Sequence, residues 1–444
     1  MKINDLHLEN YRCFDTFKID FHPQLTVIAA ENGGGKTAIL DAVTVALGVF
    51  VGNFDEGKGN GFVNDDVQLR RTSQTPITME AQYPLSLEAS GDIAGTPQTW
   101  KRTLNGKKSK TTIKDAVCLK TYAKKLQVQV RNGETVTLPL LAYYGTERLW
   151  RKTKLSKNRK AKHSRSRMMG YDECLNPASN YLVFADWFAA LERADFEHRL
   201  QQAQEKQTPT HSEFHPLLQS IKQAVNICLR ISGWKNLHYR AGLETLVVEH
   251  DDYGILPFAQ LSDGIRNLLA LVGDIAYRAA RLNAHLKANA ALETIGIILI
   301  DEVDLHLHPR WQQTVLHDLT TAFPLLQFIV TSHSPQVLST VKKEQIRLLN
   351  AGEVHAQQPA INPYGRESRE VLEDIFHVNS RAPRDVIEET GLLNDYLKRV
   401  ESGDYDSPQV KEWRELLEQT FGVGDIHLQM ADMVIHQWQA KKVN

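Results

Sequence analysis

Four short segments hold residue types suited to gripping a triphosphate and its metal ion: AENGGGKT at 30–37, LSDG at 261–264, IGIILIDE at 295–302 and TSHSP at 331–335. In the first, Gly33, Gly34 and Gly35 let backbone amides close around a β-phosphate, Lys36 reaches between the β- and γ-phosphates, and Thr37 offers its hydroxyl to Mg2+. Asn32 and Ala38 flank these residues and complete the nucleotide-binding stretch, where a helix N-terminus adds its dipole. Ala30 stands where such loops carry their first glycine, which requires φ below zero at that position. The apolar run Ile295 to Ile300 has the character of a parallel strand covered on both faces, and it ends in two acids. Asp301 would hold Mg2+, directly or through water, and Glu302 would polarise the attacking water. His333 follows another buried strand, LLQFIV, and would hydrogen-bond the γ-phosphate as a switch. A chance glycine turn or an exposed acid pair accounts for any one segment alone. The four in this order predict ATP and Mg2+ as cofactors and ATP hydrolysis as the reaction.

These groups need rigid elements behind them. Alternating apolar positions at Ile3, Leu6 and Leu8 read as strand, and the buried strand LTVIAA feeds the glycine-rich loop. After Thr37, AILDAVTVALGVFVG is apolar nearly all round, the pattern of a helix packed between sheets. Between 77 and 145, ITMEAQY and QVQVRNGETVTLPLLAYY read as β-like stretches broken by Gly, Pro and Asn. Residues 148–167 then hold ten Lys or Arg and no acid, the composition of a mobile surface loop. Helical periodicity returns over 178–232, with Trp187, Phe188, Leu191, Phe196 and Leu200 on one stripe and a second helix from Leu217 to Leu229. The expected organisation is a first ATPase lobe at 1–147, a basic loop and helical insertion at 148–245, a second lobe at 246–360 and a helical tail at 361–444. In YYGTERLW, Tyr143 to Trp150, a structural turn and a nucleotide-sensing role remain equal readings, and His306 and His308 read as loop packing in preference to metal ligands.

Composition narrows the class. With 42% hydrophobic and 24% charged residues and a net charge of -1, the chain reads as globular and not as a uniformly cationic nucleic-acid binder. Four scattered cysteines form no CxxC pair, so they indicate neither a zinc site nor a disulfide framework, and a cytoplasmic location fits. No apolar run approaches the ~18 residues that span a bilayer, and the charged start MKINDLHLENYRCF does not read as a signal peptide.

LSDG resembles the signature of ATP-binding cassettes, and it lies where a cassette signature helix belongs, before IILIDEVDLHLHPRWQ and TSHSPQVL. The resemblance is to the cassette-type ATPases of the RecF, SMC and OLD group, over most of residues 1–360. It implies an α/β fold: an ABC-type P-loop ATPase head with a β-rich first lobe, a helical insertion and a helical C-terminal tail. It also implies that Ser262 and Gly264 face the γ-phosphate held by an opposite head, that Asp304 contacts that head, and that heads pair as a homo-oligomer. Asp263 replaces a glycine of the family pattern, so its carboxylate must point away from the γ-phosphate. No Q-loop glutamine is assigned. The stretch YGRESREVLEDIFHV and the helices after it are similar to the C-terminal region of the PtuA-type ATPases of Septu anti-phage systems and their retron relatives. That likeness implies a separate PtuB-like HNH nuclease as partner. Residues 361–444 read as helical and not as the α/β sheet on which a Toprim nuclease carries its acids, so nuclease chemistry is expected in the partner.

The leading expectation is therefore a defence ATPase that regulates a nuclease, with a RecF- or SMC-like repair ATPase that itself binds DNA as the alternative. A transporter subunit fits poorly with LSDG, the insertion and DEVDLHLHP. For DNA contact the candidates are Lys154, Lys157, Arg159 and Lys160 in the basic loop. Replacing these four with Ala is expected to lower DNA affinity and flatten its log-log salt dependence by roughly one unit for each phosphate no longer neutralised; equal slopes for variant and wild type would refute the interaction.

Overall fold

The computed structural model describes residues 1–443 apart from 74–77, 150–165, 179–180, 206–207, 209, 351, 380, 382 and 384–386. Lys154, Lys157, Arg159 and Lys160 thus lie outside the described residues. The chain forms two compact units, Met1–Ser368 and Arg369–Asn444.

The first unit opens with the hairpin strands β1 (Lys2–Tyr11) and β2 (Phe14–Asp20), followed by β3 (Leu25–Ala29), every residue of which is buried. The glycine-rich loop comes next and runs straight into α1 (Lys36–Val51), buried on all sides except at Thr37 and Asp41. A short ribbon, β4 (Leu69–Ser73) with β5 (Thr78–Ala81), precedes β6 (Leu85–Ile93) and β7 (Thr96–Leu104). These last two join the first hairpin in an antiparallel sheet of order β2-β1-β6-β7.

One β-like reading is corrected here. QVQVR forms the last turns of α2 (Val117–Arg131) and not a strand. Its Gln-Val alternation suggests period two, but Leu119, Ala123 and Leu126 upstream stand at helical spacing and are buried, as is Gln127, while Val128 is exposed. Only Leu140–Tyr144 of that stretch is strand, β8. A second correction concerns α3 (Tyr181–Gln204), which is followed by α4 (His215–Leu229). Phe188 is buried, but Phe196 and Leu200 are exposed, so the predicted apolar stripe covers only the first half of the helix.

A small antiparallel sheet, β9 (Lys235–Arg240), β10 (Thr245–His250) and β11 (Gly254–Pro257), leads into the long helix α5 (Asp263–Leu282). The remaining elements of the unit are α6 (Ala290–Glu293), β12 (Gly296–Ile300), α7 (Pro309–Gln312), α8 (Val315–Ala322), β13 (Leu326–Thr331), α9 (Pro335–Leu338) and β14 (Ile346–Leu348). The central sheet is all parallel, in the order β14-β3-β13-β12-β8. Its register pairs Thr331 with Ile28 and Ile300 with Val330, so the loops leaving β3, β12 and β13 emerge along one edge. Open α/β sheets bind ligands at such carboxyl ends.

The second unit contains α10 (Ser368–Asp374), which starts at its border, then α11 (Glu388–Glu401), α12 (Pro408–Phe421) and α13 (Ile426–Val443). Leu393, Tyr396, Leu417 and Leu428 form its own core, against which Trp413 and Phe421 pack.

Gln327, fully buried on β13, joins the two large sheets of the first unit. Its amide accepts from Ile3 N at 2.9 Å and donates to Ile3 O at 2.8 Å and to His22 O at 3.1 Å. Removing it leaves the backbone of Ile3 unpaired in the interior. Gln327→Ala is expected to destabilise the chain by about 3 kcal/mol in chemical denaturation, the cost of two buried groups without partners. A loss below about 0.5 kcal/mol would show that the amide ties nothing together.

Candidate active site

The loop from Ala30 to Lys36 takes its shape from glycine. Gly33 (φ 82°) and Gly35 (φ 88°) are left-handed, and a Cβ on Gly35 would stand 2.5 Å from Phe14 Cζ. Ala30 is absent from the left-handed residues, as a side chain there requires. Lys36 is buried and donates to Ala30 O at 3.0 Å and Glu31 O at 3.1 Å. Burial lowers its pKa, and Asp301, Glu302 and Asp304 oppose that shift. An ammonium that is poorly solvated and close to three carboxylates is suited to receive phosphate charge.

Asp301 is the hub. Thr37 Oγ1 donates to its Oδ2 at 2.7 Å and Thr331 Oγ1 to its Oδ1 at 2.6 Å, while its N–H donates to Tyr144 O at 2.8 Å. The Thr331 hydroxyl also accepts from Glu302 N at 2.7 Å. Glu302 itself is left-handed (φ 48°), a strained conformation for a non-glycine residue, and this hydrogen bond helps to hold it there. A hydroxyl and a carboxylate in mutual contact, with Lys36 behind them, are the donor set that Mg2+ with a nucleotide takes, so Thr37 and Asp301 could hold the ion. His333 lies on the same edge of the sheet; burial lowers its pKa and Lys36 lowers it further, against the pull of Glu302, Asp304 and Asp301. Among the described residues, Asp304 Oδ1 is buried without a hydrogen-bond partner, so a donor from outside them would relieve it.

The signature segment opens α5. Ser262 occupies the N-cap of α5 but its hydroxyl caps nothing, which leaves the exposed side chain free to meet a ligand. Asp263 is paired with Arg266 along the helix, so its charge turns back from the N-terminus. Gly264 is small for packing: a Cβ there would lie 2.6 Å from His306 O and 3.2 Å from Trp311 Cζ3. Asn267 Nδ2 donates to Leu305 O at 3.0 Å, and His308 caps α7 through Arg310 N.

Sequence reasoning missed several of these residues. Thr331 looked like the end of an apolar strand, and its place before Ser332 and His333 was the signal. Tyr144 OH donates to Asp274 Oδ2 at 2.8 Å, and Arg278 Nε donates to the same oxygen at 2.8 Å. That buried acid-base pair at i, i+4 in an apolar helix marks a network joining α5 to β8. Asp41 of α1 receives Arg12 Nη1 at 2.7 Å, and after burial its carboxylate is the main cause that pushes the Tyr143 phenol pKa up. Tyr144 is therefore a structural tie to the helix that flanks the site.

The fold and these contacts define an ABC-type P-loop ATPase head. A family profile described as an AAA domain matches residues 5–226, and the chain belongs to that AAA-domain family. It is PtuA-like: it is 23% identical to the Septu protein PtuA of Bacillus thuringiensis, over 86% of each chain. It is 28% identical to the Escherichia coli protein named "Retron Ec83 probable ATPase", over 96% of this chain and 85% of that one. Among solved structures, an Smc head bound to the C-terminal winged-helix domain of ScpA covers 80% of this chain and 96% of its own, at 13% identity and a TM-score of 0.47.

Three substitutions separate the parts. Lys36→Ala is expected to abolish binding of labelled ATP, and Glu302→Gln to keep binding while nearly stopping turnover. Thr331→Val keeps the shape but removes both hydrogen bonds to the acid pair. It should reduce kcat by about 10- to 100-fold with ATP affinity little changed. Wild-type kcat in that variant would remove Thr331 from the site.

Proposed function

We propose that this chain is the ATPase of an anti-phage defence system, in which ATP binding and hydrolysis by paired heads regulate a separate HNH nuclease. The observation that carries the catalytic part is the convergence of Lys36, Thr37, Asp301, Glu302 and His333 on one sheet edge. Magnesium, when bound, would withdraw charge from the transferring phosphoryl group. Thr37 and Asp301 would hold it, and Lys36 would leave its backbone carbonyls for phosphate oxygens. Glu302, with its backbone fixed by Thr331, would orient and deprotonate water, and His333 would sense the γ-phosphate. The exposed Ser262 hydroxyl, which makes no capping bond, and the Asp304 oxygen that is unpaired among the described residues support completion of each site by a second head.

The defence reading rests on relatives named for Septu and retron systems. The tail is the candidate docking element, but many of its apolar side chains are already covered. Val371 and Ile375 are buried, Leu417 is in the tail's own core, and Trp413 and Phe421 pack on that core. Ile426, Met430 and Met433, at helical spacing on α13, are instead each more than half exposed. That stripe is the better surface for a nuclease. DNA contact through the basic segment remains a second reading, supported by its ten cations.

Changing Ile426, Met430 and Met433 together to Glu should leave ATP hydrolysis within roughly twofold of wild type, since surface changes cost little. Co-purification with an HNH nuclease encoded beside this gene should be lost, and phage protection with it. Full capture by that variant would move the docking surface elsewhere, first to α3 and α4.

A further inference from the structure

Among the described residues, a group of metal-ligand side chains lies away from the nucleotide site, between α3 and the start of α4. Asp195, on α3, has a side chain only 5% exposed, and it faces His211 in the connecting segment and His215 at the start of α4. One carboxylate oxygen is fixed: Oδ1 accepts from Ser212 N and Ser212 Oγ, both at 2.8 Å. The other, Oδ2, lies 3.3 Å from His211 Nδ1 and 3.5 Å from His215 Nδ1. The two imidazoles stack face to face, with centroids 3.4 Å apart and an interplanar angle of 15°.

These distances fit metal ligands better than ion pairs. A charge-assisted N–H···O bond is about 2.7–2.9 Å long. Two donors each about 2.0–2.1 Å from a tetrahedral zinc ion stand about 3.3 Å from one another. A metal lies in the plane of each imidazole that binds it, so the half-exposed His211 ring must turn out of this stack for both Nδ1 atoms to meet one ion.

We propose that Asp195, His211 and His215 bind a zinc ion, with solvent in the fourth position, and that the ion locks the α3–α4 pair. Gln219 supplies the outer partner: its side-chain amide is 2.9 Å from His215 Nε2, the ring nitrogen that carries the proton when Nδ1 holds the metal, and the amide oxygen can face it after a flip. Arg199 Nε is 3.4 Å from Asp195 Oδ2 and opposes the ion. Its side chain is 43% exposed, so it can turn to solvent, and His211, 51% exposed, leaves the ion an approach. The site has a structural consequence. The buried face of α4 packs on α5, the helix led by Ser262, and on α8, so a clamp at the end of α4 steadies the layer behind the signature helix. No cysteine takes part, which is why the cysteine count gave no sign of it.

The test uses tag-free, full-length protein freed of metal with a chelator and titrated with zinc chloride without nucleotide. Calorimetry should give one saturable site per chain, with Kd below ~1 μM, and zinc should raise the thermal midpoint by about 3 °C. Cobalt(II) should give the visible absorption of a tetrahedral ion. His211→Ala, at an exposed side chain, should fold normally and lose both signals, while Asp301→Asn, at the nucleotide site, should keep them. The proposal fails if wild type shows no saturable zinc binding, if His211→Ala binds zinc as wild type does, or if Asp301→Asn abolishes the signal.

Discussion

One carboxylate organises the catalytic edge. Asp301 ends a strand buried on both faces, where an isolated charge is costly, and its two oxygens are held by hydroxyls from different elements, Thr37 at the start of α1 and Thr331 at the end of β13. This is possible only because β13 lies between β3 and β12 in a parallel sheet whose register brings their ends level. The same Thr331 hydroxyl receives the N–H of Glu302, so the group placed to handle water is positioned through the group placed to handle metal. A change in either element is therefore felt by both acids.

The signature helix is tied to this hub at two heights. Near its start, Gly264 permits close approach of the His306 carbonyl and Asn267 donates to Leu305 O, both in the segment that follows Glu302. Further along, Asp274 receives Tyr144 OH, and Tyr144 O in turn accepts the N–H of Asp301. A helix with charged partners buried inside it and backbone contacts at its tip moves as a unit or not at all. In the proposed dimer, a phosphate engaged by Ser262 of one head would thus be felt at the acid pair of that same head, a physical route for coupling two sites. The α3–α4 pair behind α5 and the proposed zinc clamp bear on the same helix.

Much of the site was legible because its chemistry needs local patterns: three glycines in succession before Lys36 and Thr37, and two acids closing an apolar strand. The fold followed from the same signals, since strands buried on both faces read as continuous apolar runs. What escaped the sequence depends on contacts between distant segments. Thr331, Tyr144 and Asn267 are ordinary residues until the sheet brings them to Asp301, Asp274 and Leu305. QVQVR misled because a two-residue alternation over five residues is weaker than the helical spacing of Leu119, Ala123 and Leu126 around it. In the tail, sequence cannot distinguish an apolar face turned to a partner from one turned to its own helices, and Trp413 and Leu417 turn to their own.

In the proposed pairing, two heads share each ATP site, the loop of one facing the Ser262 end of the other. Mixing two variants, Lys36→Ala and Ser262→Arg, tests it directly through the rate of ATP hydrolysis. Each alone should be inactive, since one lacks the phosphate lysine and the other fills the signature end of every site. Mixed in equal amounts, they should recover about a quarter of the wild-type rate, because half of random dimers are hybrids with one intact site of two. A mixture as inactive as its components, with both variants folded and able to pair, would contradict shared sites, as would full activity of Ser262→Arg alone.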